Sequence, residues 1–140
     1  VAIMSAHKST IWNAPRAGML LIKDDKILLM KRGKYGQEYY SMIGGTVEQG
    51  ESLKATAKRE AKEETNVKFN IDESKKPICV RTHRQECYFF GKDIEGKAEL
   101  GGPEKLRNSE NNYYKLEWVE LNKLKTINLL PKQLKKKLII

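Results

Sequence analysis

The sequence has few of the residues that would cross-link the chain, bind zinc or anchor it in a membrane. Among its 140 residues are 2 cysteines, 2 histidines and 4 prolines. No apolar run approaches the roughly 20 residues that a membrane-spanning helix needs. The stretch 1–8 also lacks the pattern of a secretory signal peptide. We therefore expect a soluble, cytoplasmic protein that makes no membrane contact.

The spacing of the cysteines and histidines does not form a zinc site (Cys79, Cys87, His7 and His83). Both cysteines lie in stretches that we predict to be strands, and a hairpin centred near His83 could bring them together. Cytosolic proteins keep most cysteines reduced, so we expect two free thiols.

The composition is typical of one folded domain. Hydrophobic residues make up 39% of the chain and charged residues 32%, which favours a globular protein over a disordered one. A chain of this length can bury one hydrophobic core but hardly two. We therefore expect a single domain over residues 1–140, and the sequence shows neither an internal repeat nor a linker.

The net charge of +9 predicts attraction for polyanions. Part of it is a cluster of lysines at positions 132, 135, 136 and 137. A nucleotide polyphosphate and an RNA 5′ end would both suit a basic surface. We favour the interpretation that the clustered lysines are the solvated face of a helix that docks through Leu134 and Leu138. RNA is not the favoured partner, because no RNA-binding motif with interleaved aromatic residues is present.

Patterns of apolar and turn residues predict a mixed α/β fold. A helix should begin after the N-cap Ser52 and end near Thr65, and a second helix should follow Pro131. We predict that two early strands pair around the turn 23–25, and that residues 33–37 and 91–103 form loops. The predicted strands are 17–22, 26–30, 39–43, 67–69, 78–81, 86–90 and 113–119.

The first predicted helix carries carboxylates on its apolar face. Leu53, Ala57 and Ala61 form an apolar stripe at about 100° per residue, and Glu60 and Glu64 fall inside it. Carboxylates buried together are costly unless a cation neutralises them, and a divalent ion with oxygen ligands is the simplest partner. The alternative is a solvated helix on which glutamates pair with lysines.

The surrounding residues favour the metal-binding interpretation. A Gly44–Gly45 turn ends a predicted strand, and the chain then reads Gly45, five residues, Glu51, seven residues, Arg59-Glu60, two residues, Glu63-Glu64. This pattern closely resembles the Nudix box, the signature of hydrolases that act on a nucleoside diphosphate linked to another group.

The resemblance implies a Nudix-type α/β/α sandwich with a mixed central sheet. It covers about residues 16–138, and the box runs from Gly45 to Val67. Three positions depart from the usual box: Ile43 stands for a proline, Ala61 for a bulky aliphatic residue and Asn66 for a glycine. Asn66 can take the left-handed conformation that ends a helix. None of these departures removes a chemical group, so we expect an active enzyme.

The same resemblance implies roles for the box residues. Glu60 and Glu64 should be the main ligands of Mg²⁺, with Mn²⁺ as an alternative ion. Glu63 should be a further ligand or a base that acts through bound water, and the Gly45 carbonyl can add a ligand.

Other expected site residues lie around these ligands. Arg59 and Glu51 should pair and brace the loop against the helix, as residues behind metal ligands commonly do. Many Nudix enzymes use one more acidic residue from the loop before the last strand. Glu104 and Glu110 are the candidates, and we favour Glu104 because the neighbouring glycines and proline would fix its backbone.

For substrate binding we select Gly44 and Gly45 beside the diphosphate, Arg81 and His83 for phosphates or a base, and Tyr114 for stacking on a base. Arg84 is a further candidate, and Arg16 could close the site. For His83 a purely structural role stays open.

The expected function is therefore a Mg²⁺-dependent pyrophosphohydrolase. A nucleoside triphosphate, ordinary or oxidised, is the favoured substrate and would give the monophosphate. ADP-ribose or a nucleotide sugar, a dinucleoside polyphosphate and an RNA 5′ end stay open as alternatives. So do a Nudix-fold module that senses a nucleotide without hydrolysing it, and a homodimer.

Overall fold

A computed structural model describes residues 12–139. The expectations about His7 and about the first eight residues lie outside this range. The strands are β1 (Arg16–Leu20), β2 (Ile22–Lys23), β3 (Lys26–Lys34), β4 (Gln37–Ser41), β5 (Ile43–Thr46), β6 (Lys68–Ile71), β7 (Ile78–Arg81), β8 (Gln85–Glu95), β9 (Asn112–Glu120) and β10 (Leu129–Leu130). The helices are α1 (Leu53–Thr65), α2 (Gly102–Arg107) and α3 (Lys132–Leu138), and Leu121–Thr126 forms a 3₁₀ helix.

The strands form two mixed sheets. One has the order β5-β1-β8-β6, with β7 also paired to β8, and the other has the order β10-β4-β3-β2, with β9 also paired to β3. β1 runs parallel to β8, and β10 runs parallel to β4. The chain is thus an α/β protein of the expected class, with its strands divided between two sheets.

Successive side chains of a strand point to opposite faces, so β1 contributes to two hydrophobic cores. Helices complete each core. Met19 packs in one core with Ala57 and Ala61 of α1. Its neighbour Leu20 packs in the other core with Leu124 of the 3₁₀ helix and Leu134 of α3. The predicted docking of the last helix through Leu134 is confirmed.

Several predicted boundaries are wrong in detail. The expected strand 17–22 breaks at Leu21 into β1 and β2. β1 and β3 lie in different sheets, so β2 but not β1 pairs with β3. Residues Asp24 and Asp25, with φ of 53° and 62°, form the tight turn between β2 and β3. The expected loop 33–37 shrinks to the turn at Tyr35 and Gly36, because cross-strand pairing carries β3 to Lys34. The expected loop 91–103 contains the end of β8 and the start of α2.

The expectation of two free thiols is also wrong in this structure. The register of the β7–β8 hairpin places Cys79 directly opposite Cys87, with their Cα atoms 4.1 Å apart, and a disulfide joins them. Within residues 12–139, no helix is long and apolar enough to cross a membrane.

Candidate active site

Both ends of α1 are fixed by the residues that the sequence indicated. The Ser52 hydroxyl oxygen accepts a hydrogen bond from the Ala55 N–H at 3.0 Å. At the other end, Asn66 has the left-handed φ of 59°, and its N–H donates to the Lys62 carbonyl. The glutamates of the helix are therefore held in a defined position along its axis.

Arg59 fixes the loop before α1 to the helix. Its Nε lies 2.7 Å from Glu51 Oε2, and its Nη2 lies 3.0 Å from Glu51 Oε1. The Thr56 hydroxyl and the Glu48 N–H also donate to Glu51. The hydrogen bond from Arg59 is the main reason why the pKa of Glu51 falls to about 2. The pairing expected from the resemblance is present.

The same guanidinium reaches the next carboxylates along the helix. Arg59 Nη1 lies 2.6 Å from Glu60 Oε2 and 3.5 Å from Glu63 Oε1. The hydrogen bond to Glu51 is the largest contribution that raises the Arg59 pKa above its ordinary value, and Glu60 adds to it. Arg59 thus supplies one positive charge that several carboxylates share.

Glu60 and Glu64 are buried on the inner face of α1, each only 4% exposed, as the apolar stripe predicted. The Glu60 carboxylate lies so close to Gly45 that a side chain at position 45 would collide with it. Gly44 lies opposite Gly18, where β5 and β1 approach too closely for a side chain. Both box glycines are therefore required by packing, and Gly45 also borders the carboxylates.

Glu64 is the most perturbed of these carboxylates. Burial raises its pKa well above the usual value, the Arg16 charge opposes that shift, and the neighbouring Glu60 and Glu104 raise the pKa further. Its Oε2 is shielded from solvent and has no hydrogen-bond partner among the described residues. A cation at this point would relieve both the desolvation and the repulsion.

Glu104 joins this cluster from α2. The Gly101 N–H donates to the Glu64 carbonyl at 3.2 Å, and the Glu99 N–H donates to the Thr65 carbonyl at 2.9 Å, so this segment is tied to the end of α1. Glu104 Oε1 is also shielded and has no hydrogen-bond partner in the described part of the chain. Glu110 lies in an exposed turn instead.

These residues fit a hard divalent ion by their donor chemistry. Across residues 12–139, no three acidic, histidine or cysteine side chains already converge on a point that could hold a metal ion. Two of the cluster's carboxylate oxygens, one each from Glu64 and Glu104, are nevertheless buried without a donor, and oxygen-only donors suit Mg²⁺.

A cleft of about 760 Å³ is strongly basic. Neither Glu60 nor Glu64 lines it, but the charge of its lining residue Arg16 acts on Glu64. Its lining includes five cationic side chains and one carboxylate, Glu86; the cations are Arg16, Arg32, Arg84, Lys132 and Lys136. Such a lining raises the local concentration of anionic ligands.

Two arginines connect the cleft to the box. Arg16 donates from Nη2 to the Met42 carbonyl at 2.9 Å and from Nε to the Tyr88 hydroxyl at 3.2 Å, and its charge also acts on Glu64. Arg84 donates from Nη1 to the Thr46 hydroxyl at 3.2 Å, one residue after Gly45. Both guanidinium groups therefore contact the segment 42–46, which contains Gly45.

The structure separates the residues selected for substrate binding. His83 lines the cleft, and its ring packs on Trp12 with the centroids 4.7 Å apart. Arg81 does not line it; Arg81 borders a separate cavity of about 390 Å³ with Cys79. Tyr114 packs its ring 3.8 Å beneath the Arg32 guanidinium.

Of the two arginines that the sequence offered as phosphate ligands, Arg84 lines the cleft and Arg81 does not. Residues 81 and 84 end β7 and precede β8 on either side of the hairpin turn. Strand alternation restricts which of them can face the cleft, but the sequence alone does not give the register of the turn. Arg16 was named only as a residue that could close the site. In the structure it lines the cleft and interacts with Glu64.

The comparisons with known proteins agree with this geometry. The sequence model of the NUDIX domain matches residues 12–138. Since this is most of the chain, the protein belongs to the Nudix family and is a Nudix hydrolase. Among curated proteins, no sequence matches the chain significantly.

Solved structures with the same fold share little sequence with this chain. The MutT NUDIX hydrolase from Burkholderia pseudomallei has a TM-score of 0.65 at 16% identity, over 91% of this chain and 98% of its own. The MutT protein from Bacillus halodurans gives 0.62 at 20% identity, over 89% and 78%. The C. elegans Ap4A hydrolase gives 0.63 at 18% identity, over 89% and 93%. At these identities the likeness concerns the fold.

Proposed function

We propose that this protein is a Mg²⁺-dependent pyrophosphohydrolase that cleaves the diphosphate linkage of a nucleoside diphosphate derivative, with a nucleoside triphosphate as the leading substrate. The observation that carries the proposal is the pair of buried carboxylates, Glu60 and Glu64, each 4% exposed. Arg16, which lines the basic cleft, links that cleft to Glu64 through its charge. A buried acidic cluster next to an anion-attracting cleft suits a metal ion that meets a phosphate group.

The acidic residues have separate roles in this proposal. Glu60, Glu64 and Glu104, with the Gly45 carbonyl, would hold Mg²⁺ or Mn²⁺. When bound, the ion would polarise a phosphoryl oxygen and lower the pKa of water. Glu63, whose side chain is 44% exposed, can serve as a further ligand or accept a proton from the attacking water.

Two arginines hold the site together and stabilise negative charge. Arg59 holds the loop and the helix together through Glu51, and it also contacts Glu60. Arg16 places a fixed positive charge between the carboxylates and the cleft, where negative charge on a phosphate would accumulate.

The reaction is a simple hydrolysis. The water oxygen forms a bond to one phosphorus of the diphosphate, the bond from that phosphorus to the bridging oxygen breaks, and the water gives up a proton to a carboxylate. A nucleoside triphosphate cleaved between its first and second phosphates gives the monophosphate and pyrophosphate. A sugar-linked diphosphate would give the monophosphate and a sugar phosphate.

The test is a substrate panel with Mg²⁺, with and without chelator. It should include dGTP, oxidised dGTP, ADP-ribose, diadenosine polyphosphates and 5′-triphosphorylated RNA, with coupled phosphate detection. We expect metal-dependent turnover that is highest for a free nucleotide. Metal-dependent nucleotide binding without turnover of any compound would overturn the proposal and favour a nucleotide sensor.

A further inference from the structure

The lysine cluster of α3 has two different roles in the fold. Lys135 donates from Nζ to the Ile127 carbonyl at 2.7 Å, and Lys137 donates from Nζ to the Cys79 carbonyl at 3.1 Å. These two side chains tie the helix to the rest of the protein. Lys132 and Lys136, one helical turn apart, line the basic cleft instead. The cluster is therefore only partly the solvated face that its sequence predicted.

The cleft lysines have no partner in the part of the chain that the structure describes. Neither Lys132 nor Lys136 makes a hydrogen bond or an ion pair there, whereas Lys135 and Lys137 do. Both lysines are exposed, so a ligand in the cleft could reach them without displacing an internal contact.

Arg84 lines the same cleft, and too little negative charge surrounds its guanidinium group. Its Nε is shielded from solvent and makes no hydrogen bond within residues 12–139, and the Glu86 Oε2 atom lies 4.0 Å away. Burial lowers the pKa of Arg84, and the charge of Arg16 lowers it further. An anion bound here would supply the missing partner.

The one carboxylate that residues 12–139 contribute to the cleft lining is already engaged. Glu86 accepts a hydrogen bond from the Tyr88 hydroxyl at 2.6 Å and another from the Thr82 hydroxyl at 3.0 Å. It cannot neutralise five cations. The scissile diphosphate would be met by the metal ion at the glutamates, so the cleft cations exceed what that group alone requires.

Building on the proposed function, we infer that Arg84, Lys132 and Lys136 bind a phosphate group of the substrate that lies outside the scissile diphosphate. Two sources share this chemistry: a third phosphate on the chain, as in a nucleoside triphosphate, and a phosphomonoester on a ribose. A substrate whose only phosphates are the two of the scissile diphosphate would leave these cations without a counter-charge.

Two matched ligand pairs separate the sources. ADP and ATP differ by one phosphate on the chain, and ADP-ribose and its 2′-phosphate differ by one phosphate on a ribose. Dissociation constants from calorimetry and kcat/KM values are measured for both pairs with Mg²⁺. In the wild-type protein we expect the ligand with the additional phosphate to bind about 10-fold more tightly in one pair. That pair identifies the source.

The difference in affinity within that ligand pair is called the gap. The double variant Lys132→Gln/Lys136→Gln should reduce the gap to about 2-fold, mainly through Kd and KM, with kcat little changed. The control Lys115→Gln/Lys125→Gln removes the same charge from exposed positions outside the cleft lining, and it should keep the full gap. Arg84→Gln should also reduce the gap.

Four outcomes are informative. It is overturned if neither pair shows a gap in the wild-type protein, or if the gap survives in the Lys132→Gln/Lys136→Gln variant. A gap that the variant removes supports it. If the wild-type protein hydrolyses nothing but still shows that gap in Kd, the proposed hydrolysis fails while the phosphate site stands.

Discussion

Arg59 and Glu51 form a two-point ion pair, with Nε to Oε2 at 2.7 Å and Nη2 to Oε1 at 3.0 Å. The pair joins the loop that follows β5 to the middle of α1, eight residues further along the chain. Because Arg59 also contacts Glu60, the position of the loop and the position of a buried carboxylate depend on the same guanidinium.

Glu51→Gln should lower the free energy of unfolding by about 2 kcal/mol, since it removes charge-assisted hydrogen bonds that are largely shielded from solvent. Urea unfolding at pH 7 measures the change. Lys54→Gln is the control, because its ion pair with Glu73 is exposed and should be worth under about 1 kcal/mol. Equal effects of the two substitutions would contradict this assignment.

The Glu51 contribution should depend on pH in a defined direction. The folded-state pKa is about 2, below the ordinary value of 4.5. The stabilisation is therefore complete above pH 4.5 and is lost as the pH falls from 4.5 towards 2. The gap in unfolding free energy between wild type and Glu51→Gln should narrow between pH 6 and pH 3. A gap that stays constant over this range would show that the ion pair is not its source.

Glu64→Gln should reduce kcat by about 100-fold or more, because it removes a proposed metal ligand. The melting temperature of the metal-free protein should not fall, since the substitution removes a buried charge. Coupled phosphate release and thermal unfolding measure the two effects. Glu110→Gln, in an exposed turn, should leave both unchanged, and Glu104→Gln should lower activity. A fully active Glu64→Gln protein would refute the ligand assignment.

Asn66 ends α1 in the left-handed conformation, with φ of 59°. Asn66→Ala should cost about 1 kcal/mol of unfolding free energy, because a β-carbon disfavours that region and alanine lacks the side-chain hydrogen bonding of asparagine. Asn66→Gly should be close to neutral. Chemical denaturation of the three proteins gives the order, and an alanine variant as stable as the glycine variant would contradict this account of the helix end.

The disulfide closes the hairpin that carries His83 and Arg84. Cys79→Ala/Cys87→Ala should lower the unfolding free energy by about 2 kcal/mol through loss of the loop constraint. A thiol assay on the unfolded, unreduced protein should detect no free thiol. Two free thiols in protein purified without reductant would favour the original expectation from the sequence.

Local chemistry made much of the site predictable. Helix periodicity placed Glu60 and Glu64 on the buried face, and the ends of α1 followed from Ser52 and Asn66, since a cap acts within one helical turn. The pairing of Arg59 with Glu51 followed from resemblance to the Nudix box rather than from the physical pattern.

The arrangement of the strands in two sheets was not predictable, because it depends on pairing between strands that are far apart in the sequence. Strand assignments were close, but the division of β1 and β3 between two sheets depends on the partners β8 and β9, which lie far along the chain. The sequence favoured Glu104 over Glu110 because of the neighbouring glycines and proline, but the contacts that tie its segment to the end of α1 are hydrogen bonds from residues 99 and 101.

The sequence by itself determined helix α1 and its buried glutamates, because the period of a helix and the chemistry of its caps are local properties. Only the tertiary structure decided that Arg84 rather than Arg81 lines the cleft, and that Lys132 and Lys136 face it while Lys135 and Lys137 hold α3 in place. Those outcomes depend on the register of a hairpin and the docking angle of a helix, which many distant contacts set together.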